Sequence, residues 1–457
     1  MKKNVILILA LLTSLMLSGC VVNDKIEQGV GFIMQKISDA KEDDEDYYDE
    51  EYDEDYEEEV NYGDIDYETG YEKYDEFSVT PLPTMGPENE YEEQIDDSSD
   101  EGIPEDVWID EETDASLDDR LSQERYYAYS TLDADERAVY KLIYTTLFDF
   151  AEKTPMPTLD TAMVDNVFAC VLADSPELFY VKGYNLVKYE RGGKLEKIAV
   201  SGIYTMNSEQ ADAHMKKVDA YVSKCLAGAP QTADDYEKVK YLYEYIVKNT
   251  EYDLDAANGQ NYLSVFENGR SVCQGYSTAM QYMLNKLGVF CTIVRGLSSN
   301  GENHSWNLVK ADGDYYYVDV TWGDSSYDVT IDSKMASAPK LPEVNYEYLC
   351  VTTKELLKTH KIDNYFPVPE CVATKNYYFV REGNYFDTVD EDRLDGVFKK
   401  AYEDGKDSAV IKCADSQVFG EMKRYLTDEG NIFNYLKDAK NVNYVTLDSA
   451  QELIFYL

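Results

Sequence analysis

Residues 271–287 read SVCQGYSTAMQYMLNKL. Tyr276, Met280, Met283, Leu284 and Leu287 recur at the spacing that lays apolar side chains along one helical face. Gly288 follows as a left-handed stop, and the helix start falls at Ser271 or Val272. Cys273 therefore belongs to the first turn. Unpaired backbone N–H groups in a first turn lower a thiol pKa and can bind an oxyanion. Gly275 keeps the facing surface uncrowded. A cysteine that only fills a core needs no such placement, and most free cysteines are core residues.

A reactive thiol needs a base, and the chain has three histidines. His214, in ADAHMKKV, lies in a polar helix and reads as a surface residue. His360, in LKTHKID, reads as a loop or helix end. His304 opens HSWNLVKADGDYYYVDVTW, a tight hairpin with strands at 304–310 and 315–322 around the turn pair Asp312-Gly313. If Ala311 faces Asp314, then His304 faces Thr321 and Trp306 faces Asp319. Strand alternation puts all four of those side chains on one face. His304 and Asp319 become diagonal neighbours within reach of a carboxylate–imidazole hydrogen bond. A carboxylate in so apolar a strand needs a partner, and its charge would hold the imidazole's tautomer and orientation. The competing account is that the pair merely satisfy each other inside a sheet. The order Cys273, His304, Asp319 favours a site. Using the three as metal ligands finds no support, because histidines are few and no ligand pair stands nearby. No metal and no cofactor is expected.

Charge divides the chain. Between Glu42 and Asp119 stand 36 acidic residues and the single base Lys73, within a total net charge of -48. That balance argues against nucleic acid or an anionic membrane surface as a partner. The stretch is low-complexity Asp/Glu/Tyr, which cannot bury enough apolar surface to offset ordering entropy, so it reads as an extended, disordered tether. No spacing in it matches a calcium loop. Order resumes near residue 120 with helices over 133–153 and 161–174, two strands around Gly192-Gly193, and helices at about 207–227 and 233–249. The site occupies 231–370. Residues 371–457 read as a small α/β accessory domain, with strands at YYFV and SAVIKC, two helices and a terminal hairpin.

The N-terminus resembles a bacterial lipoprotein signal: a basic MKK, an apolar run too short for a confident membrane span, then LSGC, Leu17 to Cys20. The implied processing removes residues 1–19 and places diacylglycerol on Cys20. The protein would be exported and held on the extracytoplasmic face of the cell membrane, with 20–119 as its tether. Seven cysteines remain, an odd number, so at least one thiol is free or pairs between chains. No CxxC points to a zinc ribbon or a thioredoxin-type site.

VCQGYSTAMQYMLNKLG, HSWNLVK and YYYVDVTWGD together resemble the core of the transglutaminase-like superfamily, above all its bacterial secreted members, with YEYIVKNTEYD as the lead-in helix. The resemblance covers roughly 233–330. It implies an α+β, cysteine-protease-like fold, with a catalytic helix packed on an antiparallel sheet, preceded by a helical and β-hairpin region at 120–230. It also implies a triad of nucleophile Cys273, base His304 and orienting Asp319, acting on protein or peptide amides through a thioester. Related enzymes use an upstream side chain as second oxyanion donor; Tyr252 and Tyr262 are the candidates. The alternative is a non-catalytic surface binding or assembly protein that keeps the fold.

Overall fold

The computed structural model describes residues 88–96, 105, 109, 111–230, 232–324, 341–437 and 440–457, the first of these as backbone alone. All lie in the compact unit Val79–Leu457. The expected signal peptide, Cys20 and most of the acidic stretch fall outside the described residues. Two elements lie inside the stretch that composition reads as unstructured. The strand Glu88–Asp96 pairs in parallel with Val181–Arg191, and the helix Glu111–Leu121 buries Leu117 and Leu121. Composition averages over the whole stretch, whereas a strand needs only backbone partners and a helix only one apolar stripe.

Local chemistry sets the N-terminal helices. Ala134–Phe148 opens on a reciprocal capping box between Asp133 and Glu136. Ser208–Leu226 opens on another, between Asn207 and Gln210, and Asp160 and Asp234 cap Thr161–Asp174 and Asp235–Asn249. The strands Val181–Arg191 and Lys194–Tyr204 form a hairpin that turns on Gly192 and Gly193, both at positive φ.

The central sheet runs in the order His360–Ile362, Cys291–Ser298, Asn303–Ala311, Asp314–Val318, antiparallel throughout. The helix Cys273–Lys286 packs across it, with Tyr276, Met280, Met283 and Leu284 wholly buried. Asp312 and Gly313 both take positive φ, 54° and 94°, the backbone a two-residue hairpin turn requires. The expected register holds from Ala311 opposite Asp314 to Asn307 opposite Val318 and then stops. Trp306 does not pair with Asp319, nor His304 with Thr321. After Val318 the chain leaves the ladder: the Asp319 N–H donates to the Tyr348 carbonyl at 3.0 Å and the Gly323 N–H to the Asp319 carbonyl at 3.2 Å. The Asp319 side chain makes that turn, its Oδ1 accepting from the N–H groups of Thr321 and Trp322.

One apolar core runs from Leu117 to Phe379, so the N-terminal helices and the central sheet share it. A second core spans Phe386 to Phe455 around the sheet Tyr385–Phe386, Ser408–Cys413, Glu452–Tyr456, Tyr444–Leu447. YYFV, expected as a strand, is instead the start of the helical turn Tyr378–Arg381. Its rings serve the first core, Tyr378 stacking on Tyr346 at 3.9 Å, and that packing overrides strand propensity. The architecture is α+β with antiparallel central pairing. No helix among the described residues is long and apolar enough to cross a membrane.

Candidate active site

Cys273 is the first residue of its helix. The N-cap position is Val272, which has no side-chain acceptor, so the first-turn N–H groups are not taken by a cap. Gly275 admits the preceding loop: a Cβ there would stand 2.0 Å from Ser271 Oγ and 2.8 Å from the Gly259 carbonyl. Ser277 fixes the helix to the histidine strand, its hydroxyl placed 2.9 Å from the carbonyls of both Cys273 and Ser305. Asn307 adds a bond from its amide to the Ser277 carbonyl at 3.0 Å.

His304, the second residue of the strand Asn303–Ala311, interacts with Cys273 and has its Nε2 2.6 Å from Asp319 Oδ2. Nδ1 is thereby left as the nitrogen that can exchange a proton with the thiol. Burial pushes the Cys273 thiol up, but hydrogen bonding and charge from His304, helped by the Ser305 side chain and backbone, outweigh it and hold the thiol below its ordinary value. For His304 burial acts downward. The charge and hydrogen bond of Asp319, then Cys273, overcome it and raise the imidazole to about 10. Burial would raise Asp319 as well, yet the charge and hydrogen bonds of His304 and His360 keep it far below the usual carboxylate range. The three groups together favour a thiolate–imidazolium pair backed by a carboxylate.

The other six described cysteines go the opposite way. Burial lifts Cys225 to about 11 and Cys170, Cys371 and Cys413 to about 12, and it raises Cys291 and Cys350 strongly too. All seven are free.

The two oxyanion candidates separate. Tyr252 lies in Glu251–Tyr252, which pairs with Arg270–Ser271 just before Cys273. Burial, then the charges of Cys273, Glu302 and Asp319, push its phenol up to about 12, which keeps the hydroxyl protonated and able to donate. Tyr262 is wholly buried against Phe179, Phe266 and Tyr282 and belongs to the core. His214 meets Glu267 at 2.7 Å on its helix.

His360 corrects the sequence reading. It is no loop residue but the first residue of the edge strand His360–Ile362, and its Nε2 stands 3.1 Å from the same Asp319 Oδ2. The missed signal was slight: one of three histidines, alternating inward with Ile362 in a short strand. His304, Asp319 and His360 have their ligand atoms within 4.8 Å of one another. At 2.6 Å the contact of His304 with Asp319 is a charge-assisted hydrogen bond.

Residues 223–320 match the family model of the transglutaminase-like superfamily core. The mouse kyphoscoliosis peptidase is 30% identical over 112 residues, 21% of this chain and 17% of that protein. The human kyphoscoliosis peptidase is 28% identical over 145 residues, 26% of this chain and 22% of the other. The chain thus spans less than a quarter of the length of these relatives. Among solved structures, a transglutaminase shares 18% identity at a TM-score of 0.24, covering 34% of this chain and 48% of its own. A cysteine-protease candidate from Cytophaga hutchinsonii shares 10% at a TM-score of 0.21, covering 30% and 61%. The helix that starts on Cys273 and three of the four strands beneath it lie within that match, so residues 223–320 of this chain resemble the core domain of the transglutaminase-like superfamily.

Proposed function

We propose that the protein is an exported, membrane-tethered thiol enzyme acting on protein or peptide amides, with Cys273 as nucleophile, His304 as acid and base, and Asp319 orienting His304. One observation carries the reading: of seven described cysteines, Cys273 alone has its thiol held below the ordinary value, and the cause is an imidazole backed by a carboxylate. The name peptidase borne by the relatives points to the same bond.

In this mechanism the Cys273 thiolate adds to the amide carbonyl carbon. The oxyanion that forms is met by the Cys273 backbone N–H and the Tyr252 hydroxyl. His304 Nδ1–H protonates the departing amine, the C–N bond breaks, and a thioester remains. His304, now neutral, takes a proton from the acceptor as it attacks. Water gives hydrolysis or deamidation; a lysine amine gives a crosslink. Both acceptors fit the same three residues.

A second reading, a binding or assembly protein that retains the fold, is favoured by one feature: Cys273 is only 3% exposed. Iodoacetamide near neutral pH separates the two. Cys273 is expected to be alkylated ahead of the other six thiols, and a primary amine to be incorporated into, or ammonia released from, a glutamine-bearing protein by the wild type but not by Cys273→Ala. Equal alkylation of all seven thiols with no turnover would leave the binding protein. The tether rests on the sequence of residues 1–20. Radiolabelled palmitate is expected in the membrane-fraction protein of the wild type, and Cys20→Ala is expected to lose both the label and the membrane association.

A further inference from the structure

We propose that His360 is a positioning residue that sets the charge available on Asp319 Oδ2, and through it how tightly His304 holds its proton. The inference rests on the reading of Cys273 and His304 as a reacting pair. Asp319 is a fully buried carboxylate with four donors. Its Oδ1 takes the N–H groups of Thr321 at 2.9 Å and Trp322 at 3.1 Å; its Oδ2 takes His304 at 2.6 Å and His360 at 3.1 Å. The turn alone therefore fixes where the carboxylate lies. His360 is not needed to place it, so the second imidazole must be judged by what it does to Oδ2.

The contact with Asp319 places a proton on His360 Nε2, because a carboxylate accepts. His360 Nδ1 lies 2.9 Å from Thr359 Oγ1, which lies 3.2 Å from the Tyr348 hydroxyl. Nε2–H donates to Asp319, while the Thr359 hydroxyl stands between two acceptors, Nδ1 and the Leu356 carbonyl at 3.4 Å. The ring cannot swing out of this role. Trp322 packs at 4.5 Å and Trp306 at 4.9 Å between ring centres, and the side chain is wholly buried. Gly296 admits the strand that carries it: a Cβ there would stand 1.9 Å from the Lys361 carbonyl and 2.8 Å from Trp306. His360 also lies beyond the stretch matched by the superfamily core, so an element outside that core completes the site.

Two donors on one oxygen compete for its charge. Each weakens the other's bond, and a donor to a carboxylate lowers its affinity for protons. An imidazolium gripped by a lone buried carboxylate is a poor acid, slow to give its proton to a departing amine. His360 draws charge from Oδ2 and leaves His304 more willing to release. Further titratable groups acting on this cluster are Cys273 from its helix, Arg295 from the neighbouring strand, Tyr348 beside His360, and Tyr252 with Glu302.

The test compares full-length wild type, His360→Leu, which fills the space without a donor, and His360→Gln, which restores an N–H near Nε2. With histidine labelled by 15N, the titration of the His304 ring, coupled to that of Cys273, is followed on its own signals. His304 is expected to titrate about one pH unit higher in His360→Leu and to return toward the wild type in His360→Gln. Alkylation by iodoacetate, an anion drawn by the imidazolium, is expected to extend to correspondingly higher pH in His360→Leu. A His304 titration that is unchanged or lowered in a His360→Leu protein with wild-type circular dichroism overturns the proposal. So does a wild-type spectrum near neutral pH in which His360 Nε2 is bare, a measurement that needs no variant to fold. Wild-type Cys273 alkylating no faster than the remaining thiols would instead defeat the functional reading, while the His304 titration still decides the role of His360.

Discussion

At the scale of single residues, a buried carboxylate with four donors governs the site. Asp319→Asn replaces half of an acceptor by an NH2 group that must face other donors, and each buried donor left unpaired costs about 1–3 kcal/mol. A lower urea midpoint is expected, together with loss of preferential Cys273 alkylation. The pH dependence has a worked sign. His304 is raised from 6.5 to about 10, so its contribution to stability is complete below 6.5 and fades as pH rises through about 10. Asp319 is depressed, so its contribution is present above the ordinary carboxylate range and is lost as acid reaches its folded value. Urea midpoints measured across pH should fall at both ends in the wild type, and the alkaline fall should shrink in Asp319→Asn. Reactivity follows the same pair. The thiolate–imidazolium form exists between the lowered Cys273 value and about 10, and the two limbs belong to the pair rather than to either group.

At the scale of elements, two glycines decide whether the parts can meet. Gly296→Ala sets a methyl group 1.9 Å from the Lys361 carbonyl, and a carbonyl in a strand cannot yield cheaply. The edge strand His360–Ile362 is expected to lift from Cys291–Ser298, with a stability loss of about 1–3 kcal/mol by urea unfolding and faster amide exchange confined to 360–362 and its partners. Gly275→Ala drives Ser271 and Gly259 from the start of the Cys273 helix, so preferential alkylation of Cys273 is expected to fall even where the far end of the helix stays protected from exchange. These elements also show how far the sequence could be read. The hairpin was legible because Asp312-Gly313 admits one turn and alternation carries the register outward. The register failed beyond Val318 because Asp319 spends its Oδ1 on a turn, a choice that alternation does not encode. The turn still delivered Asp319 to His304, by another route than the ladder.

At the scale of the whole molecule, the second core meets the first through a buried charge. Lys412 Nζ lies 3.3 Å from both Glu452 and Glu347 and 2.6 Å from the Ala450 carbonyl. Burial pushes Glu452 up to about 7 despite that lysine, whose own value rises because Glu452, Tyr377 and Glu347 more than offset its burial. Lys412→Met strands Glu452 without its cation, and breaking a buried pair from one side costs about 3–5 kcal/mol. A fall in urea midpoint of that size is expected, and Glu452→Gln in the same chain should recover part of it.

The sequence by itself determined what is local: a cysteine on a helix start, a histidine opening a hairpin, a two-residue turn, and caps that begin helices, because each depends on backbone geometry within a few residues. Tertiary structure alone decided which groups share a neighbourhood. It sent Tyr262 into the core and left Tyr252 partly exposed and within electrostatic range of Cys273, and it carried His360 across the sheet edge onto a carboxylate far away in the chain. Burial and charge act through space, and the distances that set them are fixed only when distant strands close on one another.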